Sequence, residues 1–218
     1  MVGPPPASRH RAGILAQTPR LERTRVDDKT ELRQRMRKLR REHVQALPDS
    51  IRALIFSRPP SPVVEMIPDT TSIGLYHPHP HEAPTLSYAK FFHERGHSLA
   101  LPYFPGRDAA MEFRRWSDPY DEDVLEPGPF GVAQPGPAAA VREPDVVFVP
   151  LVAFTERCER LGQGGGHYDR WLGSHRDAIR IGLAWDSQLV DTLPVERHDI
   201  HLHAVITSTR LYWGPHDA

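Results

Sequence analysis

The chain has 218 residues, 39% of them hydrophobic, with 27 basic against 28 acidic side chains and a formal net charge of −1. That length suits one domain with a core of its own, and the balanced charge gives no overall pull toward nucleic acid or an acidic membrane surface. No apolar run reaches the roughly 18 residues of a membrane-spanning helix, and a single cysteine, Cys158, excludes an internal disulfide. The first residues, rich in Pro and Ala, lack the apolar h-region of a signal peptide, so a cytoplasmic protein is expected.

Residues 1–25 mix Pro, Ala and Arg without apolar periodicity and read as a flexible tail, leaving 26–218 as a single α/β domain. A first helix is expected over 28–47. Asp28 and Glu31 form a capping box at its start, Leu32, Met36, Leu39 and Val44 form its apolar stripe, and Pro48 stops it. Its remaining surface is basic, with Arg33, Arg35, Arg37, Lys38, Arg40 and Arg41. A strand over 71–76 leads into the loop His77-Pro78-His79-Pro80-His81. A helix over 82–95 follows, with Leu86, Ala89 and Phe92 on its apolar side and Gly96 ending it. Strands are expected over 98–101, ended by Pro102, and over 111–116. Residues 117–144, rich in Pro, Gly and acid, read as a long irregular loop. The run 145–154 is apolar without alternation, as in a central strand covered on both faces. A helix over 168–176, a strand over 179–185, a helical turn over 187–191 and a strand over 204–207 complete the chain. This alternation predicts a layered α/β fold with a mainly parallel central sheet flanked by helices.

The stretch from Arg160 to Leu172, with four glycines at 162, 164, 165 and 166, joins the central strand to a helix start. That order can turn several backbone N–H groups and a helix dipole toward one anion, and glycine admits the positive φ and close approach such a loop needs. It is not a Walker loop, since no Gly-Lys-Ser/Thr follows, and not a dinucleotide fingerprint, since His167 stands at the third glycine position. Arg160 opens the stretch and Asp169-Arg170 close it, consistent with a phosphate and a divalent metal.

Arg160-Leu161-Gly162-Gln163-Gly164-Gly165-Gly166-His167-Tyr168-Asp169-Arg170 resembles the signature of the 5-formyltetrahydrofolate cyclo-ligase family. So do the run from Val149 to Phe154, Lys29-x-x-Leu32-Arg33, Glu82, Gln188, Pro194, His198-Asp199 and Thr207, in order over roughly residues 28–210. The resemblance implies the family fold and an ATP- and Mg²⁺-dependent ligase. It would close 5-formyltetrahydrofolate to 5,10-methenyltetrahydrofolate, releasing ADP and phosphate, after phosphorylation of the formyl oxygen. It further implies that Lys29 and Arg33, four apart on one helix face, bind ATP together with Arg160, Leu161, Gly162, Gln163, Gly164, Gly165, Gly166, His167 and Tyr168. Arg160 and Lys29 act in catalysis, Asp169 and Asp199 hold the metal, and His77, Glu82 and Tyr168 meet the folate. The implied partner is a reduced folate, with no nucleic acid and no membrane, and the protein is expected to be a monomer. The other arginines of the first helix read as a solvated face.

The chain departs from the usual pattern at several positions. His167 replaces the common Tyr, Thr155 stands where Asp is frequent and Cys158 where Gly is frequent. Gln163 and Gly165 fall at variable loop positions of the family pattern, which can hold basic residues. Two rivals remain on the sequence. His77, His79 and His81, with His198, His201 and His203, would serve a metal-dependent hydrolase, though Pro78 and Pro80 argue for an extended loop. The basic helix would serve an RNA-binding module.

Overall fold

The computed structural model describes residues 29–194, 196 and 199–215. The expected tail, the capping Asp28 and His198 lie outside the described residues. Within them, helix α1 (Lys29–Ala46) is followed by two short helices, α2 (Asp49–Leu54) and α3 (Ser61–Met66). Then come β1 (Ser72–Gly74), α4 (Leu86–His93), β2 (Ser98–Tyr103) and β3 (Glu112–Trp116). The region taken as one irregular loop holds β4 (Leu125–Pro127), β5 (Ala133–Pro135) and β6 (Val141–Arg142). After β7 (Val146–Pro150) come the two-residue strands β8 (Ala153–Phe154) and β9 (Arg160–Leu161), then α5 (His167–Ser174). The chain closes with β10 (Ile179–Leu183), β11 (Ala204–Ile206) and β12 (Leu211–Trp213), the last not anticipated.

Eight strands form one sheet in the order β12-β11-β10-β7-β1-β2-β3-β6. The five from β11 to β2 run parallel, and β12, β3 and β6 are antiparallel at the margins. The mainly parallel sheet is therefore its centre. The apolar run is explained by β7: Val146 and Phe148 pack into one core layer with α4, and Val147 and Val149 into the opposite layer with α5. All four are fully buried, so each residue meets an apolar environment whichever way it points.

The run does not continue as one strand. Pairing with β10 stops at Leu183↔Pro150, where proline brings no N–H to the ladder. The buried Gln188 amide then takes the carbonyls of Leu151 and Val152 at 2.8 and 3.1 Å. From there the chain leaves the sheet and β8 pairs with β9 as a separate ribbon, Ala153↔Leu161 and Phe154↔Arg160. Strand β2, by contrast, runs through Pro102 to Tyr103, because its parallel pairing with β1 has already ended at Ala100.

Two corrections concern helices. The buried positions of α1 are Leu32, Met36, Arg40 and Val44, spaced by four, while Leu39 is 40% exposed. Arg40, assigned to solvent, is thus on the core side. Helix α4 begins at Leu86 rather than at residue 82, since Pro84 disfavours helical geometry at Ala83 before it. Glu82 consequently lies in the preceding loop and is buried.

Candidate active site

The connections leaving β1 and β7 run in opposite directions across the sheet: β1 leads to β2 on one side and β7 to β10 on the other. Between two such strands the chain opens a crevice at their carboxyl ends, the usual ligand position of an open α/β sheet. A cavity of about 480 Å³ occupies that place. Every site residue expected from the sequence lines it: Lys29, Arg33, His77, Glu82, the whole run from Arg160 to Asp169, and Asp199.

The glycine loop lines the cavity beside Lys29, Arg33 and Arg160 and the carboxylates Asp169, Glu196 and Asp199. Leu32 and Met36 of α1 pack on Val152, Ala153 and Leu161, which sets the polar side of α1 beside the loop. Arg33 Nε donates to the Gly162 carbonyl at 2.9 Å. Gly164 and Gly166 have φ of +110° and +64°, and Gly166 caps α5. Arg160 is buried and ion-paired with Asp169, yet its Nε has no partner. Burial pulls its guanidinium below the ordinary range, while Asp169 works against that shift. Lys29 Nζ lies 2.9 Å from Asp199 and 3.0 Å from Glu196. Burial alone would lower the Lys29 pKa, but the hydrogen bonds and charge of those two carboxylates raise it.

Glu82 lies against the same loop, through Gln163. The loop after β1 is pinned from several sides. Thr85 Oγ1 donates to the Tyr76 carbonyl at 2.6 Å, Tyr76 donates to the Ala83 carbonyl at 2.7 Å, and Trp185 Nε1 donates to the His81 carbonyl at 3.0 Å. Glu82 Oε2 accepts the backbone N–H of His79 at 2.8 Å, and Oε1 accepts from Arg40 at 3.5 Å and from Gln163 at 2.5 Å. The Tyr168 ring is partly exposed to the cavity but its hydroxyl is buried without a partner, and burial pushes its pKa up, so it stays protonated. His77 is more open, with its pKa lowered first by burial.

A third part was not foreseen. Phe104, after β2, and Phe130, in the turn between β4 and β5, meet the His167 ring at centroid distances of 5.0 and 5.6 Å. Phe104 is braced by the buried Gln134, whose amide bonds its backbone N and O at 3.1 and 3.3 Å. The Gly128–Gly131 turn of this hairpin was present in the sequence, but strands of three residues leave too short a pattern to read. His167 thus keeps an aromatic role in place of the common Tyr, and a Cβ on Gly165 would lie 2.7 Å from its ring. Burial, then the nearby Arg170, lowers the His167 pKa.

Of the arginines expected on a solvated face, Arg37 is exposed as expected and Arg40 is buried, and both touch residues that line the cavity. Arg37 grips Gln163 and Arg40 holds Glu82. The Thr155 and Cys158 departures leave the turn intact: Cys158 N donates to Thr155 O at 2.9 Å, and Cys158 adopts φ +59°, the conformation in which glycine is at ease. Its thiol is buried and pushed up to about 11 by that burial, which makes it unreactive near neutral pH.

Among the described residues, no three His, Cys, Asp or Glu side chains gather at metal-binding geometry. Magnesium asks less: one or two hard carboxylate oxygens, completed by water and phosphate. Asp169 and Asp199, two carboxylates lining the cavity, fit that requirement, and the unpartnered Arg160 Nε fits a phosphate-bearing ligand. No helix among the described residues is long and apolar enough to cross a membrane.

Comparison with known proteins bears on all of this. The chain is 50% identical over 70 residues to the 5-formyltetrahydrofolate cyclo-ligase of Escherichia coli, covering 31% of this chain and 38% of that protein. It is 31% identical over 125 residues to a probable 5-formyltetrahydrofolate cyclo-ligase of Caenorhabditis elegans, covering 52% of this chain and 61% of the relative. Each match spans less than two thirds of the relative's own length. The fold resembles the solved 5,10-methenyltetrahydrofolate synthetases of Mycoplasma pneumoniae and Aquifex aeolicus. For the first, the TM-score is 0.60 at 22% identity, covering 82% of this chain and 98% of that one. For the second it is 0.58 at 22% identity, covering 85% and 92%. A family model matches residues 25–208, a span that contains every residue lining the cavity, and the chain therefore belongs to the 5-formyltetrahydrofolate cyclo-ligase family.

Proposed function

We propose that the cavity binds ATP with Mg²⁺ at its glycine-loop end and 5-formyltetrahydrofolate toward Glu82, and that it closes the folate to 5,10-methenyltetrahydrofolate. The observation that carries this reading is convergence. Residues from α1, the loop after β1, the β8–β9 ribbon and the segment around 199 all reach one cavity, which brings three cations, the glycine loop and the buried Glu82 carboxylate together.

The chemistry explains the need for ATP. A formyl group on a ring nitrogen is an amide, and its oxygen is a poor leaving group. The formyl oxygen attacks the γ-phosphorus, the bond from that phosphorus to the bridging oxygen breaks and ADP leaves, which makes the oxygen a good leaving group. The substrate's own nitrogen 10 then attacks the formyl carbon and gives its proton to solvent, the carbon–oxygen bond breaks, phosphate carries the oxygen away and the ring is closed. Both nucleophiles belong to the substrate, so no protein nucleophile is needed and the buried Cys158 is a spectator.

The protein's work is placement and charge. Lys29, Arg33, Arg160 and the loop N–H groups hold the phosphates and stabilise the transferring group. Glu82, with His77 and the Tyr168 hydroxyl, orients the folate so that the formyl oxygen faces the γ-phosphate. Asp169 and Asp199 hold magnesium, which when bound neutralises phosphate charge. Both carboxylates already sit against cations that this reading gives to phosphate. Binding of nucleotide with metal would exchange partners, phosphate taking Arg160 and Lys29 while metal takes the two aspartates.

The test is incubation with 5-formyltetrahydrofolate while following the methenyl chromophore. The expected result is growth of the chromophore only with both ATP and Mg²⁺, and its loss in Arg160→Ala. Turnover without ATP, or with zinc alone, would overturn the reading in favour of a hydrolase.

A further inference from the structure

We infer that Gln163 is a placeholder on the Glu82 carboxylate, and that its displacement couples folate binding at Glu82 to nucleotide binding at the glycine loop. The inference rests on the reading above that a pterin docks at Glu82 and phosphate at the glycine loop.

The Gln163 carboxamide is engaged on both sides. Its oxygen accepts from Arg37 Nε and Nη2 at 3.2 and 2.9 Å, and its nitrogen donates to Glu82 Oε1 at 2.5 Å. A carboxylate offers about four acceptor positions. In Glu82, Gln163 and Arg40 use two on Oε1, and the His79 N–H uses one on Oε2. A pterin edge brings two adjacent donors, a ring N–H and an amino group. Two positions are needed where one is open, so one resident partner must leave.

The three residents differ in freedom. The His79 donor is backbone in a pinned loop, and Arg40 is buried at 7% exposure. Gln163 stands among glycines at 162, 164, 165 and 166, two of them with positive φ, and its backbone is held by exposed Arg37 and, at Gly162, by Arg33, long side chains that can move with it. Gln163 is therefore the partner that yields. It is also part of the loop given to phosphate, so a pterin arriving at Glu82 releases that loop, and a nucleotide drawing the loop to its phosphates withdraws Gln163 from Glu82. Each ligand removes a cost that the other would bear, and such coupling is reciprocal.

The test is a titration of 5-formyltetrahydrofolate into the protein, with and without the β,γ-methylene analogue of ATP and Mg²⁺. In the unaltered protein the analogue is expected to tighten folate binding by about fivefold, the worth of one net hydrogen bond. In Gln163→Ala, folate alone should bind about fivefold tighter than it does to the unaltered protein, and the analogue should add less than about twofold. Arg37→Ala, which loosens the acceptor side of the carboxamide, should fall between. If Gln163→Ala keeps the full coupling, or binds folate no tighter than the parent, Gln163 is not a placeholder and the inference falls while the functional reading stands. If the unaltered protein binds no folate, the reading itself falls and takes the inference with it.

Discussion

Replacing Arg40 with Met tests how the floor of the cavity is held. Arg40 and Glu82 are 7% and 8% exposed and face each other at 3.5 Å. Met keeps the length and apolar stem of Arg40 on the core side of α1 but removes the charge. Glu82 would retain the His79 N–H and Gln163, two dipoles in place of a cation. Removing one partner of a buried pair typically costs 3–5 kcal/mol because a charge is left uncompensated. With two hydrogen bonds remaining and the original contact long, the lower end applies, about 3 kcal/mol. For a domain of this size that is a fall in Tm of roughly 6–12 °C. Urea unfolding should show a lower midpoint at unchanged m. Combining Arg40→Met with Glu82→Gln removes the stranded charge and should recover at least half of the loss. A single-variant cost below about 1 kcal/mol, or costs that simply add in the double variant, would refute the claim that the two residues form a buried, coupled pair.

Other outcomes follow from the same geometry. Asp169→Asn should lower magnesium-dependent turnover by at least about tenfold in a protein that still folds, with some loss of unfolding midpoint because the buried Arg160 loses its carboxylate; a magnesium titration of the turnover rate, made well below the variant's unfolding midpoint, checks it. His167 has a folded pKa below its ordinary 6.5, so its contribution to stability is fully present above about pH 6.5 and is lost as pH falls through the folded value. His167→Tyr should therefore gain stability relative to the parent between pH 7 and pH 5, measured by thermal unfolding across that range. Gly182→Ala would place a Cβ 2.8 Å from both Leu151 and Leu202 in the sheet centre, and should cost about 1–3 kcal/mol by overpacking, read by urea unfolding.

What could be read from the sequence followed from pattern length. The glycine loop announced itself because four glycines between a charged opening and a charged close are a dense local signal, and all its residues do line the cavity. Lys29 and Arg33 were legible only through the family resemblance, since Arg33 and Arg37 share the same four-residue spacing, and both line the cavity. The buried place of Arg40 was not: on the same helix it resembles solvated charge, and only the tertiary position of Glu82 turns it inward, while Arg37 stays exposed and reaches Gln163 from the surface. The unalternated run in β7 disclosed a strand covered on both faces, but its exit from the sheet depends on Gln188, nearly 40 residues later. Phe104 and Phe130 stayed hidden because an aromatic residue in a Pro/Gly-rich region carries no period, and the hairpin that places Phe130 has strands of three residues. Cys158 had a physical signal of its own: a position where glycine is common is one where positive φ is expected.

The central claim is that the formyl oxygen itself receives the phosphoryl group in this cavity. It is tested most directly with 5-formyltetrahydrofolate labelled with ¹⁸O at the formyl oxygen, in the presence of ATP and Mg²⁺. The account predicts one ¹⁸O in each inorganic phosphate released as the methenyl product forms. Unlabelled phosphate, with the label released to water, would contradict it.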